Sequence, residues 1–188
     1  MLDQATFALE SSVGVLQEYN DYFGMKYPLP KLDNVASPGS SQFFGAMENW
    51  GAIYTFEHAL LLDPSISTQS DKQRAYAVAA HEIAHQWFGD LVTMRWWNGL
   101  WLNESFASYM ATLGTTKSDE FDQPWLSQYQ SKQGAYRTDD SIATHPIEVP
   151  VPSSQNAFDN IDAITYTKGA STLHQLRQMI GPEVFRQG

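Results

Sequence analysis

The sequence predicts an α+β fold, and three observations carry the prediction. Strand-favouring residues gather early: Phe43, Phe44, Trp50, Ile53, Tyr54 and Phe56 all fall within residues 42–62. Helical periodicity dominates the part of the chain that follows residue 70. No repeat, low-complexity tract or linker divides the 188 residues, so a single domain is expected. A chain of this size buries about 70% of its unfolded surface. With 43% hydrophobic and 13% aromatic residues, it has ample material for a core.

The first 24 residues place Leu9, Val13, Leu16, Tyr19 and Phe23 at steps of three and four, the period of an amphipathic helix that Gly24 stops. Tyr27-Pro28-Leu29-Pro30 then forces an extended path into a strand over residues 31–36. Ser37-Pro38-Gly39-Ser40 makes a turn. Within residues 42–62, Gly45 and Gly51 interrupt the strands at points where something approaches the backbone closely. Ser70-Asp71-Lys72-Gln73 fits a capping box that opens a helix running to about Phe88, with Gly89 beyond it as the stop. Further helices fit residues 102–113, 121–137 and 167–180, the last with Ala170, Leu173, Leu176 and Ile180 on one face. Residues 142–154, which include Pro146, Pro150 and Pro152, form an irregular surface loop. Gly181-Pro182-Glu183 starts one more helix.

Charge and composition narrow the function classes. Eleven basic residues against 21 acidic ones give a net charge of −10, which argues against nucleic acid or an anionic membrane as a partner. No apolar run approaches the ~18 residues that span a bilayer. The N-terminus has neither the basic nor the apolar region of a signal peptide. With no cysteine there is no disulfide, thiolate metal site or cysteine nucleophile, which suits a cytoplasmic compartment over an extracellular or periplasmic one. Any metal is then held by histidine and carboxylate.

His81-Glu82-Ile83-Ala84-His85 matches H-E-x-x-H. On a helix, positions i and i+4 share a face with Cβ atoms about 5–6 Å apart, so two imidazoles can converge on one Zn²⁺. Glu82 stands beside them, where a general base takes a proton from zinc-activated water. Chance expects only about 0.006 such matches in a chain of this composition. A catalytic zinc takes three protein ligands and leaves a position for water. No third histidine lies near, so a carboxylate is expected, and Glu104 follows His85 after 18 residues. Its helix would bury Phe106, Met110 and Leu113 and pack antiparallel on the histidine helix. His58, His145 and His174 read as structural or surface residues.

With these residues in view, the chain resembles the aminopeptidase N family of gluzincin zinc metallopeptidases. It has that family's H-E-x-x-H, 18-residue interval and Glu, and its exopeptidase motif as Gly45-Ala46-Met47-Glu48-Asn49, followed by Trp50-Gly51. Trp87-Phe88-Gly89, Trp96-Trp97, His145-Pro146-Ile147 and Ile164-Thr165-Tyr166-Thr167-Lys168-Gly169-Ala170 extend the likeness in family order. The resemblance implies a thermolysin-like catalytic domain, a small mixed sheet beside a mainly helical half with one zinc between them. It also implies a partial domain over residues 1–188, without the family's N-terminal β-rich and C-terminal helical domains. His81, His85 and Glu104 would bind the zinc and Glu82 would be the base. Glu48 would bind the substrate's free α-ammonium, the backbone of Gly45 and Ala46 would line the peptide, and Tyr166 would stabilise the tetrahedral intermediate. Two departures stand out: Gly99 where an acidic residue is common, and Ser105 where glycine is frequent.

The expected function is therefore a zinc aminopeptidase acting on peptides with a free N-terminus. A related endopeptidase or epoxide hydrolase, or a zinc-binding fragment without turnover, are the other readings. The Gly-Ala-Met-Glu-Asn motif speaks against the endopeptidase. Ala46, where the epoxide-hydrolysing relatives carry glycine, speaks against the epoxide hydrolase.

Overall fold

A computed structural model describes residues 2–188. Helix α1 spans Leu2–Phe23, so only the Met1 end of the predicted first helix lies outside the described residues. The buried stripe of α1 is Ala8, Val15 and Tyr19, while Leu9 and Val13 are 67% and 61% exposed. Tyr19 of the predicted face is buried and Leu16 and Phe23 pack against the core, so the expected face departs only at Leu9 and Val13. Close packing selects the stripe where a small residue lets backbones approach and where Tyr19 can be satisfied. The Tyr19 hydroxyl donates to the Met110 carbonyl at 2.9 Å, deep in the core.

The sheet has three strands, β1 (Asp33–Ser37), β2 (Ala46–Met47) and β3 (Ala52–Phe56), in the order β1-β3-β2. β1 runs parallel to β3, and β2 runs antiparallel to it, with Ala46 opposite Thr55 and Met47 opposite Tyr54. Period-two alternation buries Ile53 and Thr55 and turns Tyr54 outward. β3 passes directly into the short helix α2 (Glu57–Leu60), which strand propensity did not reveal.

Helix α3 runs Gln69–His85. Its capping box is Thr68 with Asp71, two residues ahead of the Ser70–Gln73 pair that the sequence suggested. The Thr68 amide and hydroxyl both donate to the Asp71 carboxylate, at 2.9 and 2.7 Å, and the Asp71 amide donates back to the Thr68 hydroxyl at 3.2 Å. A charged acceptor at the third helical position outcompetes the neutral Gln73. Helix α4 (Leu100–Thr115) extends the predicted span at both ends. Helix α5 (Pro124–Asp139) starts at its proline, whose missing N–H has no partner to lose there.

Residues 142–153 form no helix, as their prolines require, and a four-residue helix α6 (Ser154–Ala157) closes the loop. The last long helix is α7 (Gly169–Ile180), preceded by a π-helical turn over Ile164–Lys168. Only the first turn of α7 is buried, through Gly169, Ala170 and Ser171; Leu176 and Ile180 are exposed rather than part of a core face. Helix α8 (Pro182–Gln187) follows the Gly181 break as expected. No described helix is long and apolar enough to cross a membrane. The core lies where α1, α3, α4 and β3 meet, around Val15, Tyr19, Ile53, Ile83, Tyr109 and Met110.

Candidate active site

Helices α3 and α4 build the centre of the site. The Tyr76 hydroxyl reaches the Gly114 carbonyl, Ser108 approaches His81, and Glu104 meets His85. One chain ascends as the other descends, so the pair is antiparallel. Buried Ala80, Ala84, Ala107 and Ala111 let the two axes approach closely.

His81 and His85 sit one turn apart with their Nε2 atoms 3.0 Å from each other. Glu104 Oε2 lies 3.2 Å from His81 Nε2 and 3.3 Å from His85 Nε2. Among the described residues these three form a group able to hold a metal ion. Metal–ligand bonds of about 2.0–2.1 Å in a tetrahedral site put neighbouring donors about 3.3 Å apart. The triangle found here is therefore of the right size for one face of such a site. Its donors, two imidazole nitrogens and a carboxylate oxygen, are those expected of a catalytic zinc.

Both rings are oriented from behind. His85 Nδ1 donates to the Phe88 carbonyl at 2.9 Å, and His81 Nδ1 lies 3.4 Å from the Ser108 hydroxyl. Gly89 makes the first of these contacts geometrically accessible. Its φ is +141°, and a Cβ there would stand 3.0 Å from His85 Nδ1. The three candidate ligands shift one another's protonation. Burial pushes the Glu104 carboxyl up, but hydrogen bonds from both imidazoles overturn this and hold it well below the usual carboxylate range. Burial likewise lowers His85, yet Glu104 raises it to about 10. His81 is lowered, chiefly by burial.

Glu82 points into the same cleft, 6% exposed. Its Oε2 has no hydrogen-bond partner, and burial pushes its pKa well above the carboxylate range. A buried carboxylate oxygen left unpaired beside a donor triad marks a functional group rather than a structural one. Tyr166 lies on the far side, its ring parallel to that of His81, at 12° and 5.8 Å between centroids. Burial and then the Glu104 carboxylate raise its pKa, so the phenol keeps its proton.

Glu48, Gly45 and Ala46 also line this cleft, whose volume is about 970 Å³. Every candidate that the sequence singled out thus lines this cavity except His85, which is fully buried behind it against His81 and Glu104. His58, His145 and His174 stay outside the triad: His58 stacks on Phe56, His145 pairs with Asp162 at 3.0 Å, and His174 stacks on Trp125.

Sequence reasoning missed Gln86 and Asp162. Gln86 has no exposed surface; its amide donates to the Glu48 carbonyl at 2.8 Å and its carbonyl accepts from the Gly51 amide at 3.1 Å. It fastens the Glu48 segment to the histidine helix. The available signal was a polar residue lodged between His85 and Trp87 in an otherwise apolar stretch. Asp162 Oδ1 accepts from the Ile164 and Thr165 amides at 2.9 and 3.1 Å, capping the turn that carries Tyr166. An aspartate two residues before an apolar helical run was its signal. Asp90 also borders the centre, its pKa raised to about 7 by burial and then by the charge of Glu48.

Comparison with known proteins agrees with this geometry. Residues 7–188 match the peptidase family M1 domain. The chain is 46% identical over 188 residues to the protein named probable aminopeptidase 2 of Sulfurisphaera tokodaii, covering all of this chain and 24% of that one. It is 43% identical over 185 residues to aminopeptidase M1 of Arabidopsis thaliana, covering 98% of this chain and 21% of the other. Against glutamyl aminopeptidase of Sus scrofa the identity is 44% over 188 residues, covering 98% and 19%. The chain thus spans about a quarter or less of the length of these relatives. A domain match over nearly the whole chain, and this level of identity along its length, place it in a family of metallopeptidases: the chain belongs to peptidase family M1.

Proposed function

We propose that this chain is the catalytic domain of a zinc aminopeptidase, thermolysin-like in the way sheet and helices flank the metal, releasing N-terminal residues from peptides. The observation that carries the reading is a donor triad sized for one cation, with Glu48 lining the same cleft. His81, His85 and Glu104 would hold the zinc. When bound, zinc supplies a Lewis acid that polarises a carbonyl and lowers the pKa of water to about 7.

The chain's own residues do the rest. Glu82 accepts the proton of the attacking water and passes it to the leaving amine. Tyr166 donates its phenolic hydrogen bond to the carbonyl oxygen as negative charge develops there. Glu48 grips the free α-ammonium, a charge-assisted contact worth about 1.5–3 kcal/mol. A mid-chain amide brings no such charge, so cleavage falls at the N-terminus. Gly45 and Ala46 line the bound peptide. That the chain spans about a quarter or less of its relatives supports reading residues 1–188 as one peptidase domain of a longer protein.

The test pairs metal analysis with hydrolysis of alanyl anilide and its N-acetyl counterpart. One zinc per chain and cleavage of the free amine alone are expected. Equal cleavage of the blocked substrate would overturn the assignment.

A further inference from the structure

Ser105 follows Glu104 directly on α4 and has no exposed surface. Its hydroxyl donates to the carbonyl of Thr165, the residue before Tyr166, at 2.5 Å. That carbonyl belongs to the π-helical turn. In an α-helix the Gly169 amide would serve it; here that amide bonds the Ile164 and Tyr166 carbonyls on either side instead. Ser105 supplies a donor to the carbonyl passed over. Gly169 makes room for this, since a Cβ there would overlap the Ser105 hydroxyl. One hydroxyl therefore ties the helix that bears a candidate metal ligand to the turn that bears the phenol. Asp162 holds the same turn by its amides from the other side.

We propose that Ser105 is a positioning residue for Tyr166: its bond to the Thr165 carbonyl fixes the turn so that the phenol stands over His81 at the reacting oxygen. The inference rests on the aminopeptidase reading, in which that phenol assists the reaction. Tyr166 extends far from its backbone, so a small rotation of the turn displaces its hydroxyl. A misplacement of about 1 Å is able to cost as much as 10²-fold in rate. A serine that only filled the core, or only braced Glu104, would act on folding or on metal binding instead.

The experiment is a double-variant cycle in the zinc-loaded protein, using Ser105→Ala, Tyr166→Phe and both together on alanyl anilide. Ser105→Ala is expected to lower kcat about tenfold, leaving KM and zinc affinity within about twofold. Affinity for a phosphinic dipeptide analogue of the tetrahedral state falls in step, about tenfold. In the Tyr166→Phe background, Ser105→Ala changes kcat by less than about twofold. Independent effects that multiply in the double variant would overturn the proposal, as would a loss expressed in zinc affinity or KM. Ser105→Gly removes the same hydroxyl and answers the question if the alanine variant folds poorly. An unchanged kcat in Tyr166→Phe alone would sink the functional reading together with this one. A large loss there with none in Ser105→Ala would sink this one alone.

Discussion

The two walls of the cleft are held in place by different means. The helical wall consists of α3 and α4, whose facing alanines, stacked aromatics and ring contacts fix His81, Glu82, His85 and Glu104 many times over. The strand wall is thin: β2 has two residues, its Met47 and the nearby Phe43 are 46% and 58% exposed, and among the described residues Gln86 alone joins the Glu48 turn to α3 by side-chain hydrogen bonds. The difference separates two tasks. The proposed metal ligands and base on α3 and α4 are positioned largely by packing, which is redundant. The group proposed to select the substrate end hangs on a few polar contacts, which are not.

The largest effect is expected in the helical wall. Glu82→Gln should lower kcat by about 10²- to 10⁴-fold while the metal content stays at that of the unaltered protein. A wild-type rate would remove the base from this wall altogether. Next comes Glu48→Ala, expected to raise KM for free-amine substrates about 10- to 100-fold. N-acetylated substrates gain nothing from Glu48, so steady-state kinetics on both kinds reveal whether the strand wall selects the terminus.

A smaller change tests the attachment between the walls. Gln86→Leu leaves the Glu48 carbonyl and Gly51 amide without their partner, a loss of about 1–3 kcal/mol in stability by urea titration. KM is expected to rise severalfold with kcat little altered. If zinc affinity fell instead, the two walls would not be separable.

The smallest effect belongs to the metal-free helical wall. Burial raises Glu82. Burial acts the other way on His85, but Glu104 overrides it and lifts that imidazole to about 10. Both groups hold a proton more tightly folded than unfolded. The stabilisation is therefore complete below about pH 4.5 for Glu82 and about pH 6.5 for His85, and drains as pH rises through the folded values. Glu104, depressed by its imidazole bonds, contributes above about pH 4.5 and loses that share in acid. The metal-free chain is thus expected to melt a few degrees lower at pH 9 than at pH 6.5, followed by tryptophan fluorescence. A flat profile between those values would mean that the ring–carboxylate pair does not stabilise the wall.

The helical wall was the more legible in the sequence, for the same reason that it is rigid. Two histidines at i and i+4 need only a helix to meet, and Glu104 needs only an antiparallel neighbour. Both conditions follow from periodicity. The position of Glu48 against the metal end depends instead on Gln86 reaching across 35 residues to the Gly51 amide, which no local pattern encodes. Element boundaries failed where a polar contact outweighed propensity, as with Thr68 and Asp71 at the start of α3. They failed again where helical hydrogen bonding was itself irregular, as in the turn before Gly169. The exposure of Leu9 and Val13 was missed because a count of large apolar residues does not see that Ala8 allows a closer approach than Leu9.

The chain reversal at Gly89 decides how the centre exchanges its protons. With the backbone pressed against the rear of His85, the Phe88 carbonyl captures the hydrogen on Nδ1, and the fully buried ring offers water no rival claim. The tautomer is settled in advance, so Nε2 is the atom that gives up a hydrogen when a divalent ion arrives. Both imidazoles direct Nε2 at Glu104, so loading a cation there would displace the hydrogens of both contacts, and acidification would drive it backwards.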